Sequence, residues 1–323
     1  ERPNFGRDFG SYRTGFLHLF DRGWSATCPR LLMLNDSVYF SQTRTPAFLR
    51  DMMDSPVEVL GATENFEIEY HLGSFCIAMD GSILRNPRFQ EYWRNYPLTD
   101  VRPAVIKNGE MKLSRLLKRI VASPDEFKSC YSAAKFAEAV RTDRDLMDFT
   151  IRTARESSLT HWKRITPKAL IERVRSRHLF PVSPQSASDA ANITIEAKPD
   201  FLNQNIFVSS LDDIMTCLHR LAATNTTIDE DRVVAQISAF LGEVFMEGSQ
   251  IHQNAIIMLR LGLPLVKLDG LYRGMFNLID VNHVVDLLEP QERMELRSLL
   301  MDRPFGGDTL IGWKRAAFMR GYL

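Results

Sequence analysis

Long apolar runs are missing from this sequence. No stretch approaches the roughly 20 residues that a helix needs to cross a bilayer, so only peripheral membrane association is expected. Cysteine is scarce as well. Cys28, Cys76, Cys130 and Cys217 lie far apart with no Cys-x-x-Cys pair, a spacing that argues against a disulfide scaffold or a zinc knuckle and suits reduced thiols in a cytoplasm. Net charge is absent too, 40 basic residues meeting 40 acidic ones, whereas a dedicated nucleic-acid binder is normally strongly basic. The opening Glu1-Arg2-Pro3-Asn4 carries neither an initiator Met nor a signal-peptide pattern. A cytoplasmic segment of something longer is expected, with at most peripheral contact at the inner face of the cell membrane.

What is present is 323 residues, 45% apolar and 25% charged, enough to bury a large core in one big domain or two of about 150 residues. Short apolar runs and turn residues alternate up to residue 122, and helical periodicity dominates afterwards. The expected order is therefore an α/β portion over 1–122 and a mainly α-helical domain or extension over 123–323, with a flexible polar segment near 181–200. Leu31-Leu32-Met33-Leu34 and Ser74 to Met79 read as buried strands, and Thr45 to Met53 between them as a short helix. Ser123-Pro124-Asp125-Glu126 has the form of a capping box that opens a helix running to about Met147, and Thr227-Ile228-Asp229-Glu230 repeats it. Behind the second box, Val233, Val234, Ile237, Phe240, Leu241, Val244 and Phe245 recur every three or four residues, a core-facing helical stripe.

Chemistry is expected where an apolar strand stops in polar residues. Asn35-Asp36-Ser37 follows Leu34 directly, which places Asp36 where open α/β sheets form their ligand crevice. An oxygen ligand there suits Mg²⁺ or Mn²⁺ held against a substrate diphosphate. The same triplet also suits an ordinary turn. Near the start, Gly6-Arg7-Asp8-Phe9-Gly10 sets an Arg-Asp pair between glycines, which permits close backbone approach to a ligand or, equally, a surface ion pair. His71 precedes the second strand and reads either as a phosphate or hydroxyl contact or as a structural histidine. Lys267, with Asp269 and Arg273, follows Gly262 and Pro264; it reads as a loop facing the catalytic portion or as a solvated charge cluster. The basic stretch between Arg152 and Arg175 reads first as surface, with anionic lipid as the other option.

Taken in order, Asn4-Phe5-Gly6-Arg7-Asp8-Phe9-Gly10-Ser11-Tyr12, Leu34-Asn35-Asp36-Ser37-Val38-Tyr39-Phe40, Gly61-Ala62-Thr63-Glu64 and His71-Leu72-Gly73-Ser74-Phe75 resemble the rhamnan-synthesis F family of bacterial polysaccharide glycosyltransferases. Gly109-Glu110-Met111-Lys112-Leu113-Ser114 and Leu263-Pro264-Leu265-Val266-Lys267 match less closely. The resemblance implies a GT-A-like nucleotide-sugar domain whose first βαβ unit lies upstream of residue 1, followed by the helical portion. It implies transfer of a sugar, rhamnose being one candidate, from a nucleotide-sugar donor to a hydroxyl of a bacterial surface polysaccharide or lipid-linked glycan acceptor, in company with other glycan-assembly enzymes. Asp36 then matches the metal-binding Asp after a central strand, while Leu34 stands where the family carries an acid or Asn. Asn4, Arg7, Asp8, Asn35 and His71 would contact substrate. Glu110, expected in the first turn of a helix, would be the base that takes the acceptor's proton. The alternative is a non-catalytic module of the same shape that binds a partner enzyme or glycan.

Overall fold

The computed structural model describes residues 5–66, 68–153, 171, 174, 208–221, 228–246, 250–272, 278–302 and 311–319. It is a mixed α/β protein whose chain divides into two compact units, Glu1–Ser132 with Gly248–Leu323, and Ala133–Glu247. Among the described residues, no helix is long and apolar enough to cross a membrane.

The first unit opens with α1 (Arg7–Asp21), whose Phe9, Tyr12, Phe16 and Phe20 recur at helical spacing. Phe9, Phe16 and Phe20 are buried, and they meet the aromatic face of α4. Strand β1 (Arg30–Leu34) leads through a polar turn into β2 (Val38–Phe40), and α2 (Thr45–Asp54) follows. Then come β3 (Val59–Asn65), β4 (His71–Leu72) and β5 (Cys76–Asp80), two short helices α3 (Gly81–Arg85) and α4 (Pro87–Arg94), and one continuous helical run. That run comprises α5 (Arg102–Val105), a π-helical segment over Ile106–Met111, and α6 (Lys112–Ile120). Asn86 caps α4 by accepting from the Arg88 N–H at 3.0 Å, with Pro87 at the first helical position. Trp93, fully buried, stacks on Phe16 with ring centroids 4.5 Å apart.

The main sheet has the order β1-β5-β3-β4, with β6 (Phe127–Tyr131) also paired to β3. Only the β3–β6 pair is parallel; β1, β5 and β4 join antiparallel. The central strand is β3, buried along nearly its whole length. Two expectations are corrected here. Strand β1 is an edge strand, antiparallel to β5, and Asp36 therefore does not lie at the tip of an interior strand of a parallel array. Ser123 to Glu126 opens a single 3₁₀ turn and not a long helix, because Phe127–Tyr131 is taken up as a strand on the free edge of β3. That pairing extends the first unit to Ser132, beyond the boundary at residue 122 read from composition.

In the second unit, α7 (Ala133–Thr142) and α8 (Arg144–Thr153) precede α9 (Leu211–Leu221) and α10 (Glu230–Met246). The helix behind the second capping box is present, and its Val233, Ile237, Leu241 and Phe245 are buried as its stripe requires. Phe245 stacks on Phe136 of α7, centroids 4.2 Å apart. Arg144 forms ion pairs with Asp212 and Glu230. The polar stretch 181–200 and the basic positions from Arg155 to Arg175 lie outside the described residues.

The chain then returns to the first unit through α11 (Gln250–Gln253), α12 (Ala255–Arg260), β7 (Leu265–Lys267), α13 (Leu278–Asp286), α14 (Pro290–Met301) and α15 (Gly312–Met319). Three contacts explain why this tail belongs with residues before 132. Strand β7 pairs antiparallel with β2, setting Val38 opposite Lys267. Arg44 donates to the carbonyls of Leu287 at 2.7 Å and Leu259 at 3.3 Å. Buried Glu292 accepts from the Ser41 hydroxyl at 3.1 Å and from the Gln42 N–H. Hydrogen bonds to a buried carboxylate are charge-assisted and individually strong, so the tail is fastened and not merely adjacent.

Candidate functional site

Five stretches of the first unit, far apart in sequence, bring their polar residues to one place beside the N-terminal end of α1. Asp8, in the first turn of α1, is half-buried. Its Oδ2 accepts from the Asn35 amide at 3.0 Å, and the Asn35 Oδ1 in turn accepts from the Ser37 hydroxyl at 2.7 Å. Lys267, delivered by the β2–β7 pairing, donates to that Ser37 hydroxyl from its Nζ. The ammonium also lies 5.4 Å from the Phe75 ring centroid. Ser74, next in the chain to Phe75, donates to the Glu110 Oε1 at 2.9 Å. The Glu110 Oε2 faces Nε2 of buried His71 across 3.7 Å.

Local structure explains why Glu110 can be there. It lies near the end of the π-helical segment and is flanked on both sides by helix, not in a first helical turn as expected. Its lowered pKa consequently owes nothing to a helix N-terminus. One extra residue in the turn re-aims side chains, which is why such segments recur at functional sites. Gly109 is required next to it: a Cβ there would stand 2.8 Å from three ring carbons of Phe9. The Tyr92 hydroxyl supports the segment by donating to the carbonyls of Asn108 at 3.0 Å and Gly109 at 3.3 Å. Tyr12 ties α1 to the β4–β5 link by donating to the Ser74 carbonyl at 3.0 Å. His71 is fixed from behind. Its Nδ1 lies 2.7 Å from the Glu69 carbonyl, which can only accept, so Nδ1 carries a proton and Nε2 is the ring nitrogen turned to Glu110.

Electrostatics separates the two central carboxyls. Burial raises Asp8, and the charges of Asp36 and Glu110 add to this against Lys267 and Arg7. Burial also works to raise Glu110, but the hydrogen bond and charge of His71, the Ser74 hydroxyl and Lys267 outweigh it and bring this carboxyl below its ordinary value. Lys267 is lowered by burial, opposed by Asp269, Glu110 and Asp8. Asp269 itself pairs with Nε2 of His252 at 2.8 Å. Tyr96, stacked on Phe9, is pushed up to about 12 by burial and by the Glu110 charge, and its buried hydroxyl has no hydrogen-bond partner among the described residues. Opposite displacement of neighbouring acids is the pattern by which one site keeps one carboxyl ionised and the other readier to hold a proton.

Of the residues read from the sequence, Asp8, Asn35, His71 and Glu110 share this cluster. Asp36 is exposed at its rim, in the turn between β1 and β2, and acts on it through Asp8. Arg7 turns its Nε to the Asp100 carbonyl at 2.8 Å and reaches the cluster through its charge on Asp8. Asn4 lies outside the described residues. Tyr12, Ser37, Ser74 and Tyr96 were not singled out as ligands, and Lys267 was left between a loop and a solvated cluster. The signal that could have found Lys267 is that it ends a short apolar strand, β7, much as Asn35 follows the apolar strand β1. A metal held by the protein fits poorly. Asp36 is a single exposed carboxylate, no group of three or more His, Cys, Asp or Glu among the described residues could hold an ion, and the cation beside the turn at residues 35–37 is an ammonium. An open groove of about 590 Å³ along α2, lined by residues such as Phe40, Pro46, Leu49 and Met53, contains none of these charged groups; the one charged side chain in its wall is Arg50.

No family model and no solved structure matches the chain. Over 169 residues the chain is 30% identical to a protein of Sinorhizobium fredii (strain NBRC 101917 / NGR234) that bears the name "Uncharacterized protein y4gN". The similarity covers 50% of this chain and 43% of that protein. The chain thus matches less than half the length of this relative.

Proposed function

We propose that the first unit is the catalytic portion of a glycosyltransferase, which moves a sugar from a nucleoside-diphosphate donor to a hydroxyl of a bacterial surface polysaccharide or its lipid-linked precursor. The observation that carries this reading is the Glu110 carboxylate: 30% exposed at its side chain, bonded by Ser74, faced by His71, and kept ionised beside a second carboxyl with the opposite tendency. An ionised, reachable carboxylate accepts a proton from an acceptor hydroxyl as its oxygen attacks the anomeric carbon. The bond from that carbon to the diphosphate breaks, and its electron pair leaves with the nucleoside diphosphate. Asp8 and Asn35 supply the acceptors and donors that sugar hydroxyls require, and the fixed geometry of the cluster aligns the reactants. The GT-A-like character belongs to this proposal alone, supported by the order of the motifs and by the parallel β3–β6 pair with helices between its strands.

The alternative, a non-catalytic module that binds a glycan or a partner enzyme, is favoured by Leu34 in the acid's place and by the exposed position of Asp36. Nucleotide sugars screened for thermal stabilisation, with and without Mn²⁺, address both, because a ligand that binds only the native state raises the melting temperature. A donor that stabilises the protein and yields free nucleoside diphosphate with a glycan acceptor supports catalysis. Stabilisation by a glycan alone, with no nucleoside diphosphate released, assigns the module. Asp36→Ala leaving transfer intact removes Asp36 from the mechanism.

A further inference from the structure

We infer that Lys267 is the cationic anchor for the donor's diphosphate, taking through its ammonium the place that a divalent cation held by Asp36 would otherwise fill. The inference rests on the glycosyltransferase reading and names the ligand of one side chain within it.

Four observations converge. Backbone pairing sets Lys267 opposite Val38, and the Leu268 N–H continues the ladder to the Ser37 carbonyl at 3.0 Å, so the position of the side chain is imposed by the β2–β7 ribbon. Its Nζ donates to the Ser37 hydroxyl, and through Ser37 and Asn35 it is linked to Asp8. Ser37 is its one hydrogen-bond partner among the described residues, and an ammonium carries three donors. The Phe75 ring beneath it excludes water from one side while favouring a cation.

The neighbours narrow the choice of ligand. Asp8, Glu110 and Asp36 are acceptors when ionised and cannot bond a phosphate oxygen, whereas Lys267 can, as a compact point charge of the kind that holds phosphates elsewhere. Arg102 bears on Lys267 through its charge. Around Asp36, by contrast, no group of metal-ligating side chains is assembled among the described residues. When the bond between anomeric carbon and diphosphate breaks, the electron pair goes to the phosphate oxygen. The ammonium offsets that growing charge, a task for which a preorganised donor in a partly dry site is well suited. The acceptor's proton goes to Glu110, so Lys267 loses none.

The test is calorimetric titration of the whole chain with inorganic pyrophosphate and with UDP, dTDP and GDP, each in EDTA and in Mn²⁺. Wild type is expected to bind at least one of these in EDTA. Lys267→Met is expected to weaken that binding about tenfold or more, Lys267→Arg to retain most of it, and Ser37→Ala, which removes the hydroxyl that links the ammonium to Asn35, to weaken it about threefold. Thermal melts confirm that each variant is folded, and the Arg and Ala variants carry the test if the Met variant is not. Binding in EDTA that is indifferent to Lys267→Met overturns the inference. Binding that needs Mn²⁺ and is equal in wild type and Lys267→Met assigns the diphosphate to a metal, which overturns the inference but leaves the glycosyltransferase reading standing. Failure of folded wild type to bind any nucleoside diphosphate in either condition overturns both.

Discussion

Phe9 and Asp8 are neighbours on α1 yet belong to opposite kinds of environment. Phe9 is 1% exposed and lies among Trp93, Tyr12 and Tyr96, part of an aromatic layer shared with Phe16, Phe20 and Phe89. Asp8 sits half-buried among groups that burial disfavours in their charged forms: its own carboxyl is raised and the Lys267 ammonium is lowered. One region gains free energy from every atom it hides; the other loses it. The contrast teaches that the polar cluster does not hold itself together. It is imposed by the aromatic layer behind it, through α1, through Gly109 against the Phe9 ring, and through Tyr92 on the π-helical carbonyls.

The contrast is broken most forcefully from the apolar side. Trp93→Ala removes a fully buried side chain that touches both Phe9 and Phe16, and it should cost about 3–5 kcal/mol of unfolding free energy; chemical denaturation measures it. Glu110→Gln attacks the polar side. It should slow the chemical step by about 10²–10⁴ while donor affinity and the melting temperature change far less, which single-turnover kinetics can separate; equal losses in affinity and chemistry would make Glu110 structural.

Gly109→Ala tests the join between the two regions. A methyl at 2.8 Å from the Phe9 ring forces a shift that should cost about 1–3 kcal/mol. Because the shift moves Glu110, transfer should fall further than the folded fraction does when both are measured at a temperature where the variant is native. The smallest effect is expected at Asp8, and its sign is the informative part. A carboxyl raised above its ordinary 3.8 in the folded state holds its proton more tightly there than in the unfolded chain. The protein is therefore most favoured below 3.8 and loses that advantage as pH rises through the folded value. Asp8→Asn should accordingly raise the melting temperature at neutral pH, with the gain shrinking on acidification. A variant less stable than wild type at pH 7 would show that Asp8 is stabilised by its partners and not strained by them.

Several elements were legible from local pattern. Leu31 to Leu34, Cys76 to Met79, Thr45 to Met53 and the stripe from Val233 to Phe245 each carry their period within one turn or one strand, and such a period needs no distant partner to be read. Phe127–Tyr131 was not legible, since a capping pattern before it pointed to helix and only the open edge of β3 made it a strand. At the site, Asp8, Asn35, His71 and Glu110 could be picked out because each stands at an element boundary or beside a glycine. Their meeting could not. The π-helical turn that aims Glu110 leaves no mark in hydrophobic spacing, and Tyr96 reads from sequence as one more core aromatic.

By itself the sequence determined which residue types the site has to work with, acids, an amide and one histidine at element boundaries or beside a glycine, because apolar periodicity and turn chemistry are short-range properties of the chain. Only the tertiary structure decided that Lys267 meets Ser37, 230 residues away. That meeting depends on two short strands, β2 and β7, neither of which can satisfy its backbone groups alone, and on a tail that returns past an entire second unit to supply the missing edge.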